Sequence, residues 1–152
     1  MSEDASAKVY NAGLERKRAK YPLVRPEVGC YLSHILAWKR IAEGKLAGGF
    51  IFDDDFQAGL TLAAALEELS KDEGWDMVKL FSLNPYVKLF AERPLGQSFT
   101  IGLPARVPTC TLGYGLTRTA AARLLETAPP IARPVDEDQK FFWDTGDQKS
   151  VV

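Results

Sequence analysis

Phe50-Ile51-Phe52-Asp53-Asp54-Asp55 is a short apolar run that ends abruptly in three carboxylates, with Gly48-Gly49 just before it. Such a run reads as a buried strand carrying acidic groups at its carboxyl end. Upstream, Val28, Tyr31, Leu32, Ile35, Trp38 and Ile41 recur every three or four residues and predict a helix from about Glu27 to Glu43. Pro26 suits its first turn, Glu27 complements the positive helix end, and Gly44 is a natural stop. Downstream, Thr61 to Ser70 is a second predicted helix, and Gly74-Trp75 introduces a strand from Asp76 to Phe81. Asn84-Pro85, Pro94 and Gly96 predict a long loop over residues 83–98. Strands follow over Phe99 to Leu103 and Thr109 to Leu116, separated by Pro104 and Pro108. Thr117 is a suitable N-cap for a third helix, Thr119 to Thr127, which Pro129-Pro130 ends. The acidic segment Val135-Asp136-Glu137-Asp138 then leads to the cluster Phe141-Phe142-Trp143. At the other end, residues 1–13 are small and polar and are expected to fray. Leu14 to Lys20 suits one or two helical turns before Pro22 and Pro26 interrupt it. Alternating helices and short strands predict an α/β layer architecture, one domain over residues 1–152.

The bulk properties agree. A chain of 152 residues, 46% hydrophobic and 11% aromatic, buries about two-thirds of its unfolded surface and needs no disulfide or metal to hold a core. Nineteen basic and twenty acidic side chains give a net charge of −1, which argues against a nucleic-acid partner bound by bulk charge. The charge is uneven, with nine Lys/Arg against five Asp/Glu in residues 1–50 and an acidic excess after them. Two solvated faces explain this split, as does a basic region for an anionic substrate beside an acidic metal site. No run approaches the ~20 apolar residues of a membrane-spanning helix. Cys30 and Cys110 form no C-x-x-C pair and are too few for zinc, so reduced thiols in a cytoplasmic protein are expected.

Asp53-Asp54-Asp55 is the main chemical candidate. Ligands of open α/β sheets bind at carboxyl strand ends. Crowded carboxylates repel unless a cation offsets them. Asp-x-Asp suits a Mg²⁺ or Mn²⁺ ion that holds a diphosphate, because such ions use only one or two protein carboxylates. An acidic turn capping the next helix is the plainer reading. His34, the sole histidine, falls beside the apolar stripe next to Ser33, where a polar role at the helix edge is expected. Gly113-x-Gly115 lacks the third glycine of a dinucleotide fingerprint, and no nucleophile elbow is present. Asp136 and Asp138 follow a proline-rich bend, as an exposed helix start or as part of a site.

The run Glu27-Val28-Gly29-Cys30-Tyr31-Leu32-Ser33-His34-Ile35-Leu36-Ala37-Trp38 resembles a segment of glycosyltransferase family 25. That family holds bacterial lipopolysaccharide and lipooligosaccharide transferases and the related collagen galactosyltransferases. Its acidic strand end is matched by Phe50 to Asp55, with Asp53 where the family usually has Glu. Its Trp-Asp-x-x-Lys-Leu strand is similar to Trp75 to Leu80. Thr111 to Arg118 and Pro134-Val135-Asp136 resemble its later segments, so the likeness runs in order from about Arg16 to Trp143. Pro26 replaces the usual glycine, and the family's first strand and tens of further residues have no counterpart ahead of Glu27.

The resemblance implies a GT-A-type, Rossmann-like mixed sheet flanked by helices and incomplete at its N-terminus. It also implies metal-assisted, inverting transfer of a hexose, commonly galactose, from a UDP-sugar to a lipopolysaccharide, lipooligosaccharide or other saccharide acceptor. Asp53 and Asp55 would hold Mn²⁺ or Mg²⁺. Ser33, His34, Asp53, Asp54 and Lys79 would lie at the donor, and Tyr114 at the acceptor. Asp136, with Asp138 second, is expected to be the base that takes the acceptor proton. A cytoplasmic location, with peripheral contact at the inner membrane surface, goes with this reading. A sheet without its first strand exposes an edge, so a homodimer is expected. Two alternatives stand beside it. One is a truncated, non-catalytic transferase-like binding domain. The other is a haloacid-dehalogenase-type phosphatase, which the Asp-x-Asp strand also resembles, although Gln57 stands where that family has Thr or Val.

Overall fold

The computed structural model describes residues 22–128 and 130–140 and the backbone of residues 150–151. The readings made for residues 1–20 and for Phe141-Phe142-Trp143 lie outside the described residues. The chain forms α1 (Arg25–Ala42), β1 (Gly48–Phe52), α2 (Leu62–Lys71) and β2 (Met77–Lys79). Then come β3 (Leu89–Leu95), β4 (Phe99–Pro104), β5 (Gly113–Thr117), α3 (Arg118–Thr127), α4 (Val135–Asp138) and β6 (Ser150–Val151). The mixed α/β expectation holds. One sheet has the order β1-β5-β2-β6, and a separate hairpin pairs β3 with β4.

Topology decides where chemistry can gather. β1 and β2 both run antiparallel to β5, so their carboxyl ends share one sheet edge with the amino end of β5. The registers Ile51↔Tyr114 and Lys79↔Tyr114 put three strands level there. Side chains alternate between sheet faces along a strand. Met77, Tyr114, Leu116 and the half-buried Ile51 accordingly pack with α1 and α3 on one face, in a core with Tyr31, Trp38, Ala121 and Leu124. Val78 and Phe50 pack on the other face with Leu69, Trp75, Leu95 and Ile101. The same alternation sends Lys79 to the α1 face, with Met77. Asp53 continues the β1 ladder through its N–H to Leu112 O (3.1 Å) and follows Ile51 to that face.

α1 begins as its sequence dictates. The Glu27 carboxylate accepts from the Val24 N–H at 2.8 Å, and Lys39 and Arg40 occupy the last turn. Thr117 caps α3 by accepting from Ala120 N–H at 3.2 Å.

Two expectations change. The apolar run predicts a buried β1, but all five of its residues are half-buried, because β1 ends the described strand order. Residues 83–98 were read as a loop, but β3 occupies Leu89–Leu95. Pro94 is accommodated because among the described residues β3 pairs only with β4, so no second neighbour needs its missing N–H. A bulge between Phe90 and Arg93, with Ala91 at φ 47°, breaks the alternation that would have marked this strand.

Candidate active site

His34 lies on the buried stripe of α1 rather than at its edge. Tyr31, His34 and Trp38 follow at intervals of three and four, which stacks them on one helix line. All three are buried, His34 to 4% exposure. Their polar atoms meet the sheet at Tyr114. The Trp38 indole N–H donates to the Tyr114 oxygen at 2.7 Å. His34 Nδ1 lies 2.8 Å from the same oxygen. Indole nitrogen can only donate, so the phenol proton goes to Nδ1 and the ring proton stays on Nε2. Nε2 faces Asp53 Oδ1 at 3.6 Å, beyond hydrogen-bond length. Thr111 Oγ1 donates to Asp53 Oδ2 at 3.2 Å. Burial lowers the His34 pKa, while the charge of Asp53 opposes that shift. The imidazole is therefore neutral beside Asp53.

Lys79, expected at the donor, is 3% exposed, a buried cation whose amine is taken up by protein groups. It donates to Cys110 O at 2.9 Å and to Gln139 Oε1, and its Nζ stands 5.2 Å from the Tyr114 ring centroid. Burial pulls its pKa down from 10.5 to about 8, although the carboxylates of Asp136 and Asp53 oppose that shift. Cys110 has φ 100°, a region costly for any residue with a Cβ. The Lys79 bond to its carbonyl holds that conformation, and the next residue, Thr111, fixes Asp53. Gln139 is buried, and its side chain also meets the Tyr114 hydroxyl.

The two acidic segments converge here. Asp53 and Asp136 both act electrostatically on His34, on Lys79 and on the exposed Cys30, whose thiol pKa is raised first by burial and then by these two carboxylates. Asp136 is part-buried and accepts from the Glu137 N–H at 2.8 Å. Asp138 is differently placed. Its Oδ2 accepts from Tyr31 OH at 2.5 Å, and its Oδ1 takes Arg133 Nε at 2.8 Å and a second guanidinium nitrogen at 2.7 Å. Both oxygens are thus engaged, one tying α4 to α1 and the other holding the segment just before α4.

Asp54 and Asp55 are exposed in the turn after β1. Ser33 is exposed too, and its hydroxyl donates to Gly29 O of its own helix at 3.1 Å. Tyr114, expected at the acceptor, is fully buried, so no sugar reaches its ring. Its residue type and spacing match those of a core aromatic, and its link to the site is its hydroxyl. Thr111, Cys110 and Gln139 were not singled out by their own chemistry. Thr111 stands first in the Thr111–Arg118 segment noted above, while no sequence pattern marks the other two.

Among the described residues no group of three or more His, Cys, Asp or Glu is arranged to hold a metal. The donor set present is two hard carboxylates, the oriented Asp53 and the exposed Asp55. It fits a Mg²⁺ or Mn²⁺ ion whose remaining positions are filled by phosphate oxygens and water.

Comparison with known sequences agrees with this picture. Residues 1–138 match the profile of "Glycosyltransferase family 25 (LPS biosynthesis protein)". The chain is 32% identical over 133 residues to human "Inactive glycosyltransferase 25 family member 3", covering 80% of this chain and 21% of that protein. It is 31% identical over 129 residues to Xenopus laevis "Procollagen galactosyltransferase 1-A", covering 81% and 21%. The chain therefore spans about a fifth of the length of these curated relatives. The ordered motifs, the acidic sheet edge and the match over residues 1–138 lead to one assignment: the chain belongs to glycosyltransferase family 25.

Proposed function

We propose that this chain transfers a hexose, galactose by preference, from a UDP-sugar to a saccharide acceptor of the lipopolysaccharide or lipooligosaccharide kind, with inversion and on a GT-A-type fold. The observation that carries this is the convergence of Asp53 and Asp136 on one buried cation and one neutral histidine at a single sheet edge. Asp53 and Asp55 would hold Mn²⁺ or Mg²⁺ at the donor diphosphate, with Asp54 beside them. When bound, such an ion offsets charge developing on the UDP leaving group. Thr111 orients Asp53 beside the neutral His34, and Lys79 holds the Cys110–Thr111 segment. Asp136 takes the proton of the attacking acceptor hydroxyl, since Asp138 has both oxygens engaged. Ser33 would meet the donor from the exposed side of α1.

UDP release from UDP-galactose, with Mn²⁺ and saccharide acceptors, tests this reading. We expect acceptor-dependent release, with Asp136→Asn slower by about 10²-fold or more, the usual scale of a lost general base. No release above buffer with any acceptor would contradict it. The second reading, a non-catalytic transferase-like domain, has its support in the relatives whose names mark them inactive.

A further inference from the structure

A cleft of about 400 Å³ lies beside the segment that leads into Thr111, unlike the acidic edge in charge. Lys88, Arg106 and Lys140 line it with Asn84, Tyr86 and Thr109, and none of its described lining residues is a carboxylate. Lys88 and Arg106 are exposed and form no ion pair among the described residues, while Lys140 binds Glu137 Oε1 at 2.6 Å. Lys88 Nζ lies 5.2 Å from the Phe90 ring centroid, a contact that leaves its charge intact. Tyr86 is 88% exposed, so its ring is open to a ligand.

The cleft is preformed. Ala105 N–H donates to Lys88 O at 2.9 Å and fixes the two cationic strand ends together. Asn84 Oδ1 accepts from Tyr86 N–H at 3.0 Å and shapes the loop that bears the ring. It also adjoins the acidic site through two chain segments. Thr109 lines the cleft, and the next two residues contact Lys79 and Asp53. Lys140 lines it from the other side, directly after Gln139, the second partner of Lys79.

We propose that this cleft is an acceptor subsite for a saccharide carrying a phosphate or carboxylate group. The proposal rests on the transferase reading above and names the class of its acceptor. Cations without carboxylate partners favour an anionic group through charge-assisted hydrogen bonds. An open aromatic ring beside them offers a face for the apolar side of a sugar. The cleft adjoins the acidic site through Thr109 and Lys140, so the proposal puts the acceptor's anion here and its reacting hydroxyl at Asp136.

The test is calorimetric titration of the full chain with glucose 6-phosphate, glucuronate, glucose and inorganic phosphate. We expect both anionic sugars to bind at least about tenfold more tightly than glucose, a difference of about 1.4 kcal/mol. Glucose 6-phosphate should also exceed inorganic phosphate, and the stronger of the two anionic sugars identifies the preferred group. The double variant Lys88→Ala/Arg106→Ala, at two exposed positions, should lose that preference with its circular dichroism unchanged. UDP with Mn²⁺ should not compete. Equal binding of glucose, equal binding of inorganic phosphate, an unaffected double variant, or competition by UDP would each overturn the subsite. Asp55→Asn separates the two readings, because it should weaken UDP binding and leave sugar-phosphate binding within twofold. In the parent chain, absence of UDP binding with sugar-phosphate binding intact tells against the donor site, and absence of sugar-phosphate binding with UDP binding intact tells against this cleft.

Discussion

Tyr114 shows how a single oxygen can organise a site it does not line. Its hydroxyl takes the Trp38 indole proton and gives its own to His34, which turns Nε2 toward Asp53. Tyr114→Phe leaves the Trp38 N–H buried without a partner, and we expect a loss of about 1–3 kcal/mol. The urea midpoint should fall with an unchanged slope, and a midpoint equal to that of the parent would remove Tyr114 from this role. Lys79 predicts a pH dependence. Its folded pKa of about 8 lies below the ordinary 10.5. Below pH 8 both states hold the proton and the full penalty of burying the charge is present. Between pH 8 and 10.5 the unfolded chain keeps a proton that the folded chain has lost, so this contribution rises with pH. Tyr31 and Tyr114, whose pKa values burial raises, act in the opposite direction at high pH. The comparison is therefore parent against Lys79→Met. The parent should gain on the variant by up to about 3 kcal/mol across that window, and parallel curves would contradict the buried cation. Asp53 could be read from sequence because an apolar strand ending in carboxylates is a local pattern. Cys110 and Gln139 could not, since strain and a buried amide arise only from the way distant segments meet.

At the scale of elements, helices were the most legible. α1 and α3 start and stop within about two residues of what their caps and periodicity dictate, and Thr117 Oγ1 does cap α3. Removing that cap, Thr117→Ala, should lower stability by about 1 kcal/mol in thermal unfolding. Strands were harder. β3 carries Pro94 and a bulge, both of which read as loop when one segment is considered without its partner. β5 shows the opposite case, a strand with two glycines whose reason is packing. A Cβ on Gly115 would lie 2.8 Å from Phe50 Cδ1 and 2.8 Å from Val78 Cγ1, on both neighbouring strands. Gly115→Ala should therefore destabilise by about 1–3 kcal/mol through overpacking. An unchanged unfolding midpoint would show that β1 and β2 can spread apart.

For the whole molecule, order and direction of strands matter more than their number. Because β5 runs against both β1 and β2, segments distant in sequence deliver Asp53, Lys79 and Thr111 to one edge, and α4 brings Asp136 to the same place. The α/β class was legible from alternation along the chain, whereas this convergence needed the register. Among the described residues no helix is long and apolar enough to cross a membrane. Residues 1–138 match the family profile, and the acidic edge together with its basic neighbour gives that match a chemical meaning. The central claim is that this edge holds a nucleoside diphosphate through a divalent ion. Calorimetric titration of the chain with UDP, with and without Mn²⁺, tests it most directly. The account predicts binding only in the presence of the ion, weakened about tenfold or more by Asp55→Asn. Absence of binding under both conditions, or binding indifferent to Mn²⁺, would contradict it.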